Sequence, residues 1–213
     1  MKFLHSLALY LGLAITAAAP AGATTISNTA TGQTISTFGS PDSQTYGQVF
    51  VAPVTGTLDS FTMHLSEGVG EVMGAVGTWN GGAAFGFGFG SDTTLFTSAP
   101  TSSGTGGALT FTPGVGVTAG SIYVAFLTVF GLTDVIGQTS MPLGDALEGG
   151  GYFVWNNSAD TSSPFGNTSW NYFYNGGNAL FSASFTAVPL PAGGLLLISA
   201  LFGIGLMCRR RRF

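Results

Sequence analysis

Between Thr24 and Ala187 few residue types can do chemistry: one histidine (His64), nine carboxylates, and no lysine, arginine or cysteine. A Ser-His-Asp triad needs a histidine held by a carboxylate and aimed at a serine; no Gly-x-Ser-x-Gly elbow accompanies His64. A zinc site needs three or four His, Cys or carboxylate ligands, which one histidine without cysteine does not supply. Glycoside hydrolysis asks only for two carboxylates about 5–10 Å apart. Glu67 and Glu71 are close in sequence, but Ser66-Glu67-Gly68-Val69-Gly70-Glu71 reads as a turn between strands, whose charges are ordinarily solvated. No basic side chain is present to stabilise a developing anion. The expectation is a protein without catalytic residues, with glycoside hydrolysis a distant alternative.

Binding chemistry is better represented. Tyr152 to Tyr174 holds eight aromatic residues in 23 positions, interleaved with Asn156, Asn157, Asn167, Asn171 and Asn175. Sugar faces stack on such rings and asparagine hydrogen-bonds hydroxyls, which makes Trp155, Trp170, Tyr172 and Tyr174 candidate carbohydrate contacts. The competing and simpler role for alternate aromatics here is to fill the core, Trp155 in particular. Asn156-Asn157-Ser158-Ala159-Asp160-Thr161 is an oxygen-rich loop able to hold a structural calcium, though not with EF-hand spacing; an ordinary polar turn is the default. No other cofactor is expected. Nine acidic residues against no basic ones give Thr24–Ala187 a formal charge of −9 with His64 neutral. A phosphate backbone requires a basic footprint, so nucleic acid is excluded as a partner.

The elements that must position these residues read as strands. Short alternating or β-rich runs recur between Gly, Pro, Asn and Asp, and no stretch keeps a 3.6-residue apolar period. Strands are predicted near Tyr46–Ala52, Leu58–Leu65, Val72–Trp79, Ala83–Phe89, Thr94–Thr97, Ala108–Thr112, Ser121–Phe130, Tyr152–Asn156, Trp170–Tyr174 and Ala179–Ala187. In the second, Phe61, Met63 and Leu65 share one face and Thr62 and His64 the other, the pattern of a half-buried antiparallel strand. Phe85, Phe87 and Phe89 alternate with glycines, as in a core edge strand against which another element packs closely. Leu132–Gly151 has weak periodicity and reads as a long loop or a short helix around Asp145–Glu148. The predicted fold is all-β: a single antiparallel β-sandwich, jelly-roll-like, over residues 24–187. At 164 residues it is long enough to hold a core without disulfides.

Both ends differ in composition. Met1-Lys2, the mostly apolar Phe3–Thr16 and the small-residue site Ala21-Gly22-Ala23 form a secretory signal peptide over residues 1–23, so the mature chain is expected to begin at Thr24. Residues 188–213 carry Val188-Pro189-Leu190-Pro191-Ala192, an apolar run to Cys208, and Arg209-Arg210-Arg211-Arg212. From Leu190 to Cys208 no charge interrupts a segment that as a helix would span about 28 Å, near the roughly 30 Å of a hydrocarbon core. Prolines at its entry suit a first helical turn, and the arginines would stay cytoplasmic, leaving the preceding chain outside. Cys208, the sole cysteine, falls inside that span.

A short Pro-containing signature, an apolar helix and a terminal arginine cluster, in that order, resemble the PEP-CTERM class of bacterial sorting signals. The Val188–Ala192 string is similar to its VPLPA-CTERM variety. The resemblance covers 26 residues and implies processing near the signature by a membrane-embedded, exosortase-like enzyme. It also implies an exopolysaccharide- or biofilm-associated Gram-negative host, with a membrane-inserted intermediate and a final place at the cell surface or in the matrix. Gly47–Pro53, Ser60–Met63, Trp79-Asn80-Gly81, Leu95–Ser98 and Ile122–Phe126 are similar in layout to exported β-domains that precede such signals. The resulting expectation is a non-enzymatic, exported structural or adhesive protein. A polysaccharide-binding module is the alternative.

Overall fold

The structure, a computed structural model, describes residues 22–80, 93–156, 163–165, 170–172 and 177–189. Ala23–Ala187 forms one compact unit. Among the described residues every strand pairing is antiparallel apart from one isolated bridge, Phe38 with Ser43. Among the described residues there is no α-helix, and none long and apolar enough to cross a membrane. The chain runs through β1 (Ala23–Ser27), β2 (Ala30–Gly39), β3 (Thr45–Val51), β4 (Gly56–Leu65) and β5 (Glu71–Thr78). It continues through β6 (Thr94–Thr97), β7 (Thr101–Ser102), β8 (Gly107–Phe111), β9 (Val115–Val117) and β10 (Ile122–Thr128). The last are β11 (Gln138–Gly144), β12 (Gly151–Asn156), β13 (Asn171–Tyr172), β14 (Asn178–Ala179) and β15 (Phe181–Ala187).

Three sheets result. A five-stranded sheet has the order β1-β15-β4-β8, with β9 also on β4; a seven-stranded sheet has the order β13-β12-β3-β10-β5-β6, with β7 on β5. A three-stranded sheet, β14-β11-β2, lies beside them. The five-stranded sheet follows the alternation of its sequence. Leu58, Phe61, Met63, Leu65, Phe181 and Phe185 point inward and are fully buried, while Thr62, His64, Ser182 and Ser184 between them are only partly covered. They meet the inner face of the seven-stranded sheet: Phe50 sits 5.6 Å from Phe181 and 6.0 Å from Phe185, ring centre to ring centre. The three-stranded sheet adds Phe38, Met141 and Ala179 to the same core. The arrangement is sandwich-like, two facing sheets sharing one apolar layer.

The central strands of the seven-stranded sheet, β3, β10 and β5, are buried on both faces, and their sequence shows why. β10 reads Ile-Tyr-Val-Ala-Phe-Leu-Thr, a nearly continuous apolar run rather than an alternation. Tyr123, Ala125 and Leu127 enter the shared core, while Val124 and Phe126 join Val49, Ala75, Trp79, Val154 and Trp170 in a second cluster on the opposite face. Gly47 lies in the floor of that second cluster. A Cβ there would come within 3.1 Å of Phe126, Val124 and Val154 side-chain carbons, a tight approach that glycine spares as these three close over β3.

Two predicted features change. Leu132–Gly151 is neither one long loop nor a helix around Asp145–Glu148. It contains β11, and residues 145–150 form bends and turns. Strands β1, β2, β7, β9 and β11 have no counterpart among the predicted ones. The predicted strand at Ala83–Phe89 lies outside the described residues.

Candidate functional site

The aromatic segment divides between two environments. Trp155 points to the inner side of β12, stacks on Phe153 at 6.1 Å and is partly buried against the main core. Trp170 goes to the outer cluster, 1% exposed, edge-on to Phe126 at 5.2 Å and to Trp79 at 5.9 Å. The two tryptophans therefore share no surface, and Trp170 is the more deeply buried. Tyr172 lies in β13, paired with Val154; Tyr174 lies outside the described residues. Sequence reasoning passed over Trp79 and Tyr152 as a pair. Across 73 residues, the Trp79 indole N–H donates to the Tyr152 hydroxyl at 2.7 Å. By contrast, Trp170 Nε1 and Asn156 Nδ2 are buried without a hydrogen-bond partner.

Of the calcium candidate, Asn156 ends β12 as a buried residue, and residues 157–161 lie outside the described ones. Among the described residues no group of three His, Cys, Asp or Glu is placed to hold a metal. Ala23 opens β1, opposite Thr186, whereas Ala21 lies outside the described residues, as do Leu190, Pro191, Ala192 and Arg209–Arg212. Val188 and Pro189 follow β15 without regular structure. His64 stands on the outer face of β4 opposite Ala108; partial burial holds its pKa below the ordinary histidine value.

Around His64 the outer face of the five-stranded sheet is built from hydroxyls. The register aligns Ser27, Ser182, Thr62 and Thr110 in one row across four strands, and Thr25, Ser184 and Ser60 in the next. Thr62 and Thr110 hydroxyls are 2.8 Å apart, and Thr186 donates to Asp59 at 2.7 Å.

Among the described residues, an open groove of about 350 Å³ lies where β2, β11 and the β4–β5 turn meet. Its lining is Ser36, Thr37, Ser66, Glu67, Gln138, Thr139 and Ser140: five hydroxyls, one amide and one carboxylate. A register shift in the β2–β11 pairing, where Ser140 meets Ser36 and Thr139 meets Phe38, leaves Thr37 unpaired as a bulge. Bulges re-aim side chains. Here the Thr37 hydroxyl donates to Asp42 at 3.0 Å, and Gln138 Nε2 donates to the same carboxylate oxygen at 3.1 Å. On the other wall the Ser140 hydroxyl donates to that of Ser66 at 2.8 Å, and the buried Thr139 hydroxyl accepts the Glu67 backbone N–H at 2.9 Å. No aromatic ring lines the groove.

No family model matches the chain, and no curated protein resembles it in sequence. Among solved structures it is similar to the cysteine protease and lectin-like domains of Cwp84, a surface layer associated protein of Clostridium difficile. That match has 9% identity and a TM-score of 0.44, over 69% of this chain and 33% of the other. A clostridial Cwp84 variant after propeptide cleavage matches with 9% identity and a TM-score of 0.44, over 72% and 38%. This chain thus spans about a third of the length of the first structure and 38% of the second.

Proposed function

We propose that the protein is an exported, non-enzymatic β-sandwich, jelly-roll-like in plan, with a structural or adhesive role at the cell envelope or in the extracellular matrix of a Gram-negative bacterium. In this reading a signal peptide is removed after Ala23. The Val188–Ala192 signature with its apolar helix and Arg209–Arg212 halts the chain in the inner membrane for an exosortase-like enzyme. One observation supports it above the others: the first and last strands are antiparallel neighbours, and the pairing persists in a chain that begins at Thr24, which lies opposite Phe185. The chain therefore enters and leaves the domain on neighbouring strands of one sheet. A nine-to-nothing excess of carboxylates over basic residues in 24–187 suits a soluble, displayed domain and no nucleic-acid partner.

The test is peptide mapping of the protein recovered from the cell surface. The expected result is an N-terminus at Thr24 and no peptide containing Phe213. An intact C-terminus on the mature surface protein would leave a plain membrane anchor in place of a sorting signal. A second reading, a polysaccharide-binding module of the exopolysaccharide matrix, is favoured by the hydroxyl-lined groove. Turnover of an oligosaccharide would move the protein to the hydrolase alternative.

A further inference from the structure

We infer that the groove between β2, β11 and the β4–β5 turn binds one neutral sugar unit of a polysaccharide, with the Glu67 carboxylate as its principal hydrogen-bond acceptor. This deepens the polysaccharide-binding reading and rests on it for its setting outside the cell.

The turn that carries Glu67 is tied down on two sides. Toward β11, Ser66 N–H donates to Ser140 O at 2.8 Å, Glu67 N–H to the Thr139 hydroxyl at 2.9 Å, and Ile136 N–H to Val69 O at 2.9 Å. On the other side Val69 N–H donates to the buried Ser103 hydroxyl at 2.8 Å, and Ser103 N–H to Gly70 O at 2.8 Å. Behind it the Gly104–Gly107 turn presses so close that a Cβ on Gly106, whose φ is +91°, would lie 2.7 Å from Glu67 Cα. Surface turns are ordinarily mobile and held only at their ends. This one is immobilised along its length, and the ordering is done in advance of any ligand, which is what preorganised sites require.

What the immobilised backbone presents is an exposed carboxylate with no basic residue anywhere in Thr24–Ala187 to pair with it. Glu67 is therefore not half of a structural ion pair. Across the groove, Asp42 fixes the Gln138 amide through its NH2, which turns the amide carbonyl away from Asp42 and leaves it an acceptor. The Ser36 and Ser66 hydroxyls supply groups that both donate and accept. A carboxylate, an amide carbonyl and hydroxyls without an aromatic ring suit a polyol held by hydrogen bonds rather than by stacking. Hydroxyl-to-carboxylate bonds are the strong ones in such a set. The volume stands at the low end of ligand sites, roughly 300–1,000 Å³, enough for a single ring. With the Glu67 carboxylate in its lining and no basic residue in Thr24–Ala187, the groove repels uronate, sulfated or phosphorylated sugars.

The test is calorimetric titration of the full chain in detergent with neutral gluco-, manno- and galacto-oligosaccharides, with oligogalacturonate as the acidic counterpart. At least one neutral series should bind and oligogalacturonate should not. Glu67→Gln, which keeps shape and removes charge, should weaken binding about tenfold with an unchanged melting temperature. Gln138→Ala should weaken it several-fold, and Thr62→Ala on the hydroxyl face should leave it intact. The inference is overturned if no neutral series binds the folded protein, if Glu67→Gln and Gln138→Ala both bind like the parent, or if oligogalacturonate binds better. Release of reducing sugar would overturn a binding-only role. None of these outcomes bears on the termini found by peptide mapping, so the two readings fail separately.

Discussion

The two large sheets solve the same problem in opposite ways. The five-stranded sheet buries one face and gives the other to water as rows of Ser and Thr hydroxyls. The seven-stranded sheet buries both along its central strands, where Trp79, Tyr152, Phe165 and Trp170 pack over Val124 and Phe126 on the outer face. Along β4 buried and partly covered residues alternate, with one break at Asp59-Ser60; along β10 every residue from Tyr123 to Thr128 is buried. The lesson is that the outer aromatic cluster is structure, although its residue types look like a sugar platform, while the polar groove, with no aromatic ring, has the open geometry of a site.

That contrast can be broken most forcefully at Phe126 and Trp170. Truncating either to alanine should cost about 3–5 kcal/mol in denaturant unfolding, the scale for large core rings. A loss under about 1 kcal/mol would mean that the outer cluster is not a true second core. Trp155, only partly buried, should lose less on the same change.

Next is Gln48, buried in the inner layer, where its amide donates to Asn178 Oδ1 at 2.8 Å and accepts the Ala179 N–H at 2.8 Å. Gln48→Leu removes both of these buried hydrogen bonds and should destabilise by about 1–3 kcal/mol in chemical denaturation. An unchanged midpoint would show that β14 does not depend on this amide.

A finer comparison sets two indoles against each other. Trp79→Phe removes a hydrogen bond to Tyr152 and should cost about 1 kcal/mol beyond the change in ring size. Trp170→Phe removes an N–H that has no partner and should cost less, since burying an unsatisfied donor is itself unfavourable. Thermal melts of the pair decide; equal losses would mean that the Trp170 N–H is satisfied in solution.

The smallest effects belong to the hydroxyl face. Thr62→Ala or Ser184→Ala should change stability by no more than about 0.5 kcal/mol. His64 on that face has a native pKa lowered by burial, so the unfolded chain binds its proton more readily. Its contribution to stability is full above the unfolded value near 6.5 and declines as pH falls below it, levelling off beneath the lowered native pKa. His64→Gln should flatten that part of the melting-temperature profile, and a variant profile parallel to the parent's would count against the assignment.

Local sequence was enough for the all-β class and for the strands whose pattern is self-evident. Phe61, Met63 and Leu65 against Thr62 and His64 determine the faces of β4, and the turn at Ser66–Gly70 follows from its glycines. The export and sorting readings also come from sequence alone, because apolar length, prolines and terminal arginines act as contiguous signals. Three things required the tertiary structure. Whether the outer face of β10 is covered depends on Trp79 and Trp170, distant in sequence, and a continuous apolar run does not name its cover. β2 is mostly exposed and β11 carries Pro142 beside a register shift, so neither displays a strand pattern, and each becomes a strand by pairing with the other. The groove exists only where that long-range pair meets the Glu67 turn. Glu67 reads as an ordinary solvated charge in sequence because its backbone partners, Thr139 and Gly106, are brought to it by the fold.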